Sequence, residues 1–499
     1  MKFSAPPLRS LRLSGEFIKS LLTADTQRAL RLRRENQKLG HYSNERNLKT
    51  PPSSSHNARE DSSRRRRKFF AIAIIFFASL GFRLLCWHDV RFEVWKVQTS
   101  VTNNYKSLAH LLRENGAASF FDRASTTSNP DLLGHPPGYP IFMAVAYKTI
   151  NESDITIQIL QMIGDSLAAA LLFLIAAEIF PLSVAVMAGA LAALSPQFCW
   201  NSVLLLPDTL AVLPILAAVW IVIRKPQQRS FWRMLAAGAL IGVSCWLRAN
   251  AFLLAPFLVL LIPFLVSRGR RLRLSLGLLA GVVLVIAPLT IRNAIVFGHF
   301  IPVSLGAGQT LVEGIGDYDT ENKLGLPATD MELIRKEADE SGKPAYANSL
   351  FSPDGVARDR ARLKRGLDVI RQHPFWFAGV MLRRASSMIR LERTPLTSTA
   401  PVSTGWTRYP RLAERLLQKL FITAIILPFV IIGVIVLARL KLWRELAILL
   451  AVPCYYFCVQ SALHTEYRYV LAVDYFLFVI VAVALYHISV AARLRFANR

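Results

Sequence analysis

Acidic residues are scarce in this chain: 33 Asp and Glu stand against 59 Lys and Arg in 499 residues, a formal net charge of +26. There are only five cysteines, Cys86, Cys199, Cys245, Cys454 and Cys458, all within or beside apolar runs. None has the spacing of a zinc site, and Cys454 and Cys458 read as two small residues on one helix face, so no disulfide framework is expected. No internal repeat is visible, which speaks against solenoids and against the paired halves of many transporters. The first 68 residues lack the early apolar core of a secretory signal. They carry 17 Lys and Arg against 6 Asp and Glu, and "TPPSSSHNAREDSS" reads as disordered linker before the cluster "SSRRRRKFF".

Long apolar runs are what the chain has instead. The hydrophobic fraction is 53%, and a helix needs about 20 apolar residues to cross a bilayer. Crossings are expected near 69–87, 157–179, 182–199, 208–223, 233–247, 250–267, 273–290, 419–438, 446–463 and 469–491. Ile141–Ile150 is too short to cross and reads as re-entrant, interfacial or half-spanning. If the Arg64–Lys68 cluster holds the N-terminus inside, the inner loops are "RKPQQRSFWR", "SRGRRLR", "ARLKLWRE" and the tail "RLRFANR". All are basic, as cytoplasmic loops tend to be. The positive balance thus orients a membrane protein and does not call for nucleic acid; a contact of the basic tail with anionic lipid or protein is a second use for it. The division that follows is a basic cytoplasmic tail (1–68), a membrane module (69–290) with a polar outer loop (88–140), an outer segment (291–418) and C-terminal membrane helices (419–499). Within the outer segment, "HPFWFAGVMLRRASSMIRL" has apolar and basic faces suited to the membrane surface.

Polar groups gather on the outer side. The first outer loop holds Asp89, Glu93, Asp122, Asp131 and His135; Asp208 follows Pro207 in "LLLPDTLAVL"; Arg248 ends "CWLRA"; Arg292 lies in "APLTIRNAIVF". His464, Glu466, Arg468 and Tyr469 share "SALHTEYRYV", and Asp165 is an acid within a span. Each has a plain structural alternative. Asp208 caps a helix, Arg248 and Arg292 snorkel to headgroups, Arg468 pairs with Glu466, Asp165 bonds a neighbouring helix, and Tyr469 and Trp200 are interfacial aromatics. Taken together, outer arginines suit phosphate oxygens, which a guanidinium binds in a two-pronged fork. Acids beside them suit a general base. In extended backbone His464, Glu466 and Arg468 point to one face.

The ordered set "HPPGYPIFMAVAY", "LLPDTLAVL", "WLRANAFLLAP", "APLTIRNAIVFGHFIPVS", "IRQHPFWF" and "HTEYRYVLAVDYF" resembles the GT-C-type polytopic glycosyltransferases over roughly residues 69–491. It is most similar to the bacterial members of the dolichyl-phosphate-mannose protein mannosyltransferase family, which are related to aminoarabinose transferases of lipid A. The resemblance implies an all-α polytopic membrane protein, a GT-C-like bundle of about ten or more transmembrane helices. It implies inverting transfer of a sugar from a polyprenyl-phosphate donor to a glycan, lipid or protein acceptor. The site would lie at the outer face of the bacterial cytoplasmic membrane, with both termini inside. Arginines hold the carrier phosphate in such enzymes, which points to Arg248, Arg292 and Arg468 with Tyr469. His135, Tyr139, Asp165, His464 and Glu466 are supporting residues. The catalytic base in such enzymes is an acid of the first outer loop, four residues before a tyrosine. That tyrosine matches Tyr105, and Val101 stands at the acid's position. Asp131, just ahead of the His-Pro-Pro turn, is the first candidate in its place, with Asp89 and Asp208 next and Glu93 and Asp122 behind them. A second departure is Ala472, where the family often has proline. No cofactor is assigned; Asp and Glu could hold a divalent Mg²⁺ or Mn²⁺, though the sequence shows no clear ligand cluster. A transporter or flippase of a lipid-linked or anionic solute, and a non-catalytic scaffold of envelope assembly, are the competing readings.

Overall fold

The computed structural model describes residues 54–91, 99–122, 131–224, 229–391 and 408–497. Every regular element among them is helical. The helices of six or more residues are α1 (Ser54–Val90), α2 (Thr99–Asn115), α3 (Gly138–Thr149), α4 (Asp154–Ile179), α5 (Leu182–Ala193) and α6 (Pro196–Val203). There follow α7 (Asp208–Ile223), α8 (Phe231–Leu247), α9 (Leu254–Val259), α10 (Arg271–Phe297), α11 (Ala307–Gly316) and α12 (Asp330–Ser341). The last six are α13 (Gly355–Gln372), α14 (Pro374–Met388), α15 (Arg408–Leu420), α16 (Thr423–Arg439), α17 (Trp443–Val459) and α18 (Leu471–Ala497).

Five helical stretches are long and apolar enough to cross a membrane: Arg65–His88, Asp154–Ile179, Arg268–Phe297, Trp443–Ala462 and Tyr467–Phe496. Two further crossings are bent pairs, α5 with α6 at 48° and the end of α15 with α16 at 52°. The apolar helices α7, α8 and Ala249–Val259 are shorter. This is a polytopic membrane protein, and its breaks have local causes. Pro196 starts α6 and keeps the residue before it out of helical geometry, so the expected span 182–199 bends there. The expected span 250–267 holds Pro256 and Pro263 and splits after Val259. As expected, α3 is too short to cross: its 12 residues rise about 18 Å.

The core runs through α4, α5, α7, α8, α10, α17 and α18. Helices α8 and α10 approach so closely that a Cβ on Gly238 or Gly281 would overlap the carbonyl oxygen of Leu278 or Leu235. Within the membrane, Arg83 of α1 and Asp165 of α4 form a buried pair, Nε to Oδ2 2.6 Å. Tyr475 of α18 donates its hydroxyl to the same carboxylate. Arg83 also donates to the carbonyls of Ser79 and Ala193, at 3.2 and 3.0 Å, so the guanidinium is neutralised and hydrogen-bonded without water. Asp165 thus joins three elements.

The segment after α10 folds as four helices, α11–α14, with Leu311, Ile315, Leu333 and Phe377 in a small core of their own. Glu337 of α12 clamps α13 by accepting from Arg362 at 2.6 and 2.7 Å and from Arg358 at 2.8 Å. This unit is tied to the membrane helices: Arg384 of α14 donates to the Ser461 carbonyl at 2.7 Å, and the Thr310 carbonyl accepts from His464 N at 2.7 Å.

Asp165→Ala should leave Arg83 buried without its counter-charge and destabilise the protein by about 3 kcal/mol. The double variant Arg83→Met/Asp165→Ala should recover part of that loss, and chemical-denaturation midpoints in detergent measure both.

Candidate functional site: two arginines at the membrane edge

The chain between α6 and α7, Leu204 to Pro207, is buried backbone that makes no helix. Such backbone must find hydrogen bonds within the protein. Two glutamines one turn apart on α4 supply them. Gln158 donates to the Val203 carbonyl at 3.1 Å, and Gln161 to Leu204 at 2.6 Å and Ser202 at 3.3 Å. Gln161 in turn accepts from the Tyr139 hydroxyl at 2.6 Å, and Gln158 from the Trp87 indole at 2.8 Å. The held chain delivers Asp208 at the first turn of α7, where the helix dipole favours a carboxylate.

Around Asp208 stand two guanidinium groups. Arg248 follows α8 in extended backbone and brings Nε to 2.9 Å from Asp208 Oδ1. Arg468 sits just before α18 with Nη1 3.5 Å from Asp208 Oδ2. Arg468 also grips Glu466 in a fork, Nε to Oε2 and Nη2 to Oε1, each 2.8 Å. Tyr469 donates its hydroxyl to Glu466 Oε1 at 3.2 Å, and its ring lies under the Arg248 guanidinium, 3.9 Å from carbon to centroid. Asn250 fixes Tyr469 by donating to its carbonyl at 3.0 Å, while Tyr455 donates to the Asn250 carbonyl at 2.7 Å. Burial alone would raise the Glu466 carboxyl, but the two bonds from Arg468 and the charge of Arg248 hold it below the usual range.

The turn "GHPPGYP" closes the site. Gly138 packs against the end of α8; a Cβ there would lie 2.5 Å from the Trp246 carbonyl oxygen, two residues from Arg248. Tyr105 of α2 meets the His135 ring at 5.3 Å and the Tyr139 ring at 5.2 Å between centroids. Burial pushes the His135 imidazole down to about 4, and Arg248 and Arg468 add to the effect, so it is neutral at pH 7. Behind the turn, the Leu133 carbonyl accepts from Leu305 N at 2.7 Å, joining it to the outer segment.

The expected residues therefore fall into groups. Asp208, Arg248, Glu466, Arg468 and Tyr469 form one constellation, with His135 and Tyr139 in its wall. His464 stands beside it, Nδ1 2.8 Å from Asp317 Oδ2, and that hydrogen bond raises its pKa. Trp200 donates to the Tyr467 hydroxyl at 3.3 Å. Arg292 is held apart: it donates to the Phe120 carbonyl at 2.9 Å and to Asn293 at 2.9 Å, and lies over the Phe120 ring at 4.4 Å. It ties the outer loop to α10. Asp165 belongs to the intramembrane pair with Arg83. Asp122 is exposed at the end of the first part of that loop. Asp89 lies in the last turn of α1 and Asp131 opens a helical turn, with their side chains outside the described residues, where Glu93 also lies. Sequence reading missed Gln158 and Gln161, whose signal is two amides three residues apart in an apolar span. It also missed Glu313 on α11, a buried carboxyl within reach of Gln309 and Asp330. Burial, and then the hydrogen bond shared with Asp330, push Glu313 up to about 10. Among the described residues no group of three or more His, Cys, Asp or Glu is placed to hold a metal ion. Asp208 and Glu466 are both taken up by arginines, so neither is free to hold a divalent cation in this arrangement.

Comparison with known proteins bears on this arrangement. Residues 134–291 match the family model of dolichyl-phosphate-mannose-protein mannosyltransferase. That segment runs from the His-Pro-Pro turn through Asp208 and Arg248 into α10, so the resemblance carried by the motifs is borne out there. No curated protein sequence matches the chain. Among solved structures, the oligosaccharyltransferase AglB of Archaeoglobus fulgidus, in complex with an inhibitory peptide and a dolichol-phosphate, is similar at 16% identity and a TM-score of 0.49, over 87% of this chain and 52% of that one. ArnT of Cupriavidus metallidurans in the apo state is similar at 15% identity and a TM-score of 0.33, over 77% of this chain and 72% of that one. The chain spans about half the length of the oligosaccharyltransferase.

Gly138→Ala should force the turn and the end of α8 apart and lower stability by about 1–3 kcal/mol, read from melting of the purified protein. Glu313→Gln carries a signed pH dependence. The folded carboxyl, raised to about 10 from 4.5, binds a proton that the unfolded chain releases. Its contribution is thus complete below pH 4.5 and is lost as pH rises towards 10. The Gln variant should match the parent at pH 4 and exceed it by about 2 kcal/mol or more at pH 8, measured by denaturant titration.

Proposed function

We propose that the protein is an inverting glycosyltransferase that takes a sugar from a polyprenyl-phosphate-linked donor and passes it to a protein, lipid or glycan acceptor. The observation that carries this reading is the pair Arg248 and Arg468 with Tyr469, gathered where α7, α8 and α18 meet, under the His135–Pro140 turn. A guanidinium pair beside an apolar bundle suits a phosphate whose hydrocarbon chain stays in the lipid. The family model over 134–291 supports the same chemistry. The basic loops at the far end of the bundle, around Arg229, Arg268–Arg273 and Arg439–Arg444, support an orientation with the site outside the cytoplasmic membrane and both termini inside.

In this reading the acceptor hydroxyl attacks the anomeric carbon from the side opposite the phosphate. The bond between that carbon and the phosphate oxygen breaks, and its electron pair leaves with the phosphate. Arg248 and Arg468 stabilise the negative charge that grows there, in a buried setting where such stabilisation is strong. A carboxylate accepts the hydroxyl proton. Asp131 at the entrance of the turn remains the first candidate, with Asp89 behind it; Asp208, gripped by two arginines, is better suited to positioning them. Arg292 supports the donor site through Phe120 and the loop it anchors. No step is routed through a metal. Asp165, the acid that a transporter would place at the midplane, is occupied by Arg83 and Tyr475.

Purified protein in lipid nanodiscs, given radiolabelled polyprenyl-phosphate sugars and a panel of acceptors, should transfer sugar with inversion. Arg248→Ala and Arg468→Ala should each reduce transfer roughly 10²-fold or more. Transfer unaffected by removing Arg248, Arg292 and Arg468 together would overturn the reading.

A further inference from the structure

Two arginines and two acids make the site neutral as it stands. Asp208 and Glu466 together balance Arg248 and Arg468, and all four groups are in contact. A phosphate cannot simply be added. It would bring one more negative charge into a buried cluster, and the best donor face in the cluster, the Nε–Nη2 edge of Arg468, is already filled by both oxygens of Glu466 at 2.8 Å. That edge is the face with which a guanidinium forks two oxygens of either a carboxylate or a phosphate. Something has to leave before phosphate can take it.

The two acids differ in their ability to leave. The Asp208 side chain is 3% exposed and fixed at a helix start between two guanidinium groups. The Glu466 side chain is 27% exposed and springs from the non-helical turn between Leu463 and Tyr467. The backbone of that turn is anchored at and around Glu466: its carbonyl accepts from Tyr469 N at 3.0 Å, Thr465 Oγ1 donates to the Gln460 carbonyl at 2.7 Å, and Trp200 donates to the Tyr467 hydroxyl at 3.3 Å. The Glu466 side chain can therefore swing without moving the backbone that carries Arg468.

We infer that Glu466 is a placeholder for the phosphate: its carboxylate fills the Arg468 fork in the empty site and is displaced when a lipid phosphate binds. This rests on the functional reading above, and it adds a residue that sets how tightly and how selectively the phosphate is held. In the empty enzyme Glu466 keeps Arg468 pointed and neutralised, which an isolated buried guanidinium would not tolerate. On exchange, the phosphate inherits the Nε and Nη2 donors, Tyr469 turns its hydroxyl from Glu466 Oε1 to a phosphate oxygen, and Glu466 moves towards His464, whose charge already favours it. Because each anion must compete with a two-pronged carboxylate, weakly basic single-oxygen anions are rejected, and a tetrahedral phosphate with two free oxygens is accepted.

The test is a binding experiment that needs no turnover. Farnesyl phosphate, farnesol and inorganic phosphate are titrated into the full-length protein in nanodiscs, for the parent, Glu466→Gln, Glu466→Ala and Arg468→Ala. Neutralising Glu466 removes the competitor, so both Glu466 variants should bind farnesyl phosphate roughly tenfold more tightly than the parent, a difference of about 1.4 kcal/mol. Farnesol binding should not change. Arg468→Ala should lose the phosphate-dependent part. Two Glu466 variants are used because Gln keeps the side-chain shape and its hydrogen bonds, so a loss of binding seen in Ala alone reports collapse of the site. Unchanged or weaker binding in Glu466→Gln, with parent binding that still depends on Arg468, would overturn the exchange and leave the glycosyltransferase reading standing. Binding that ignores Arg468 in every variant would overturn both. Equal gains for inorganic phosphate and farnesyl phosphate would place the selectivity in the anion and not in the lipid.

Discussion

Two guanidinium groups buried at the end of a helical bundle dictate what surrounds them. An arginine removed from water needs a counter-charge and partners for its N–H groups, or it destabilises the fold by several kcal/mol. Arg248 and Arg468 meet this demand with Asp208, Glu466 and the face of Tyr469. The arginines and their partners come from three parts of the chain: Asp208 from the start of α7, Arg248 from the end of α8, and Glu466, Arg468 and Tyr469 from the entry to α18. The electrostatic requirement therefore pins three helices to one point, and the site exists because the helices end there together.

The same logic extends to the backbone. Leu204–Pro207 brings Asp208 into place only by leaving helical geometry inside a buried region, and Gln158 and Gln161 supply the missing hydrogen bonds. Gln161 then accepts from Tyr139, and Tyr139 belongs to the turn that Gly138 seats on the Trp246 carbonyl. The two prolines fix the approach of the turn, and the two glycines allow contacts that no side chain would permit: Gly134 faces the ring of Phe351 in the outer segment, and Gly138 faces α8. The turn joins the outer segment to the arginine site. It is a packing joint as much as an entrance to the membrane.

The membrane helices and their order are legible in the sequence, because long apolar runs and basic loops are one-dimensional signals. The breaks at Pro196 and near Pro263 were less so: a hydropathy run does not show whether a proline bends a crossing or ends it. The constellation of Asp208, Arg248, Glu466, Arg468 and Tyr469 was legible as a set of outer polar groups, since each stands where an apolar run begins or ends. Its wiring was not. Arg248 and Arg292 look alike in sequence, each at an outer helix end, yet one faces Asp208 and the other a carbonyl of the outer loop. Asp165 was legible as costly, but Arg83 lies 82 residues away and nothing local announces the pair.

The face that α2 turns to the chain before α7 bears on how such a site balances its charge. Val101 and Tyr105 are one turn apart on α2, so they share a face, and both pack with Tyr139 and Trp200 in one apolar cluster. Thr102 beside them donates to the Leu205 carbonyl at 3.4 Å, which sets that face against the chain that carries Asp208. Position 101 therefore faces an apolar wall. An aspartate in that wall would bury a further negative charge among apolar side chains, while the two guanidinium groups are already matched by Asp208 and Glu466. With valine there, Asp208 and Glu466 alone balance Arg248 and Arg468. The valine at 101 and the fork between Glu466 and Arg468 then belong to one solution: of the two carboxylates that hold the arginines, Asp208 is fixed at the start of α7, and Glu466 stands on the non-helical turn before α18, from which its side chain can withdraw.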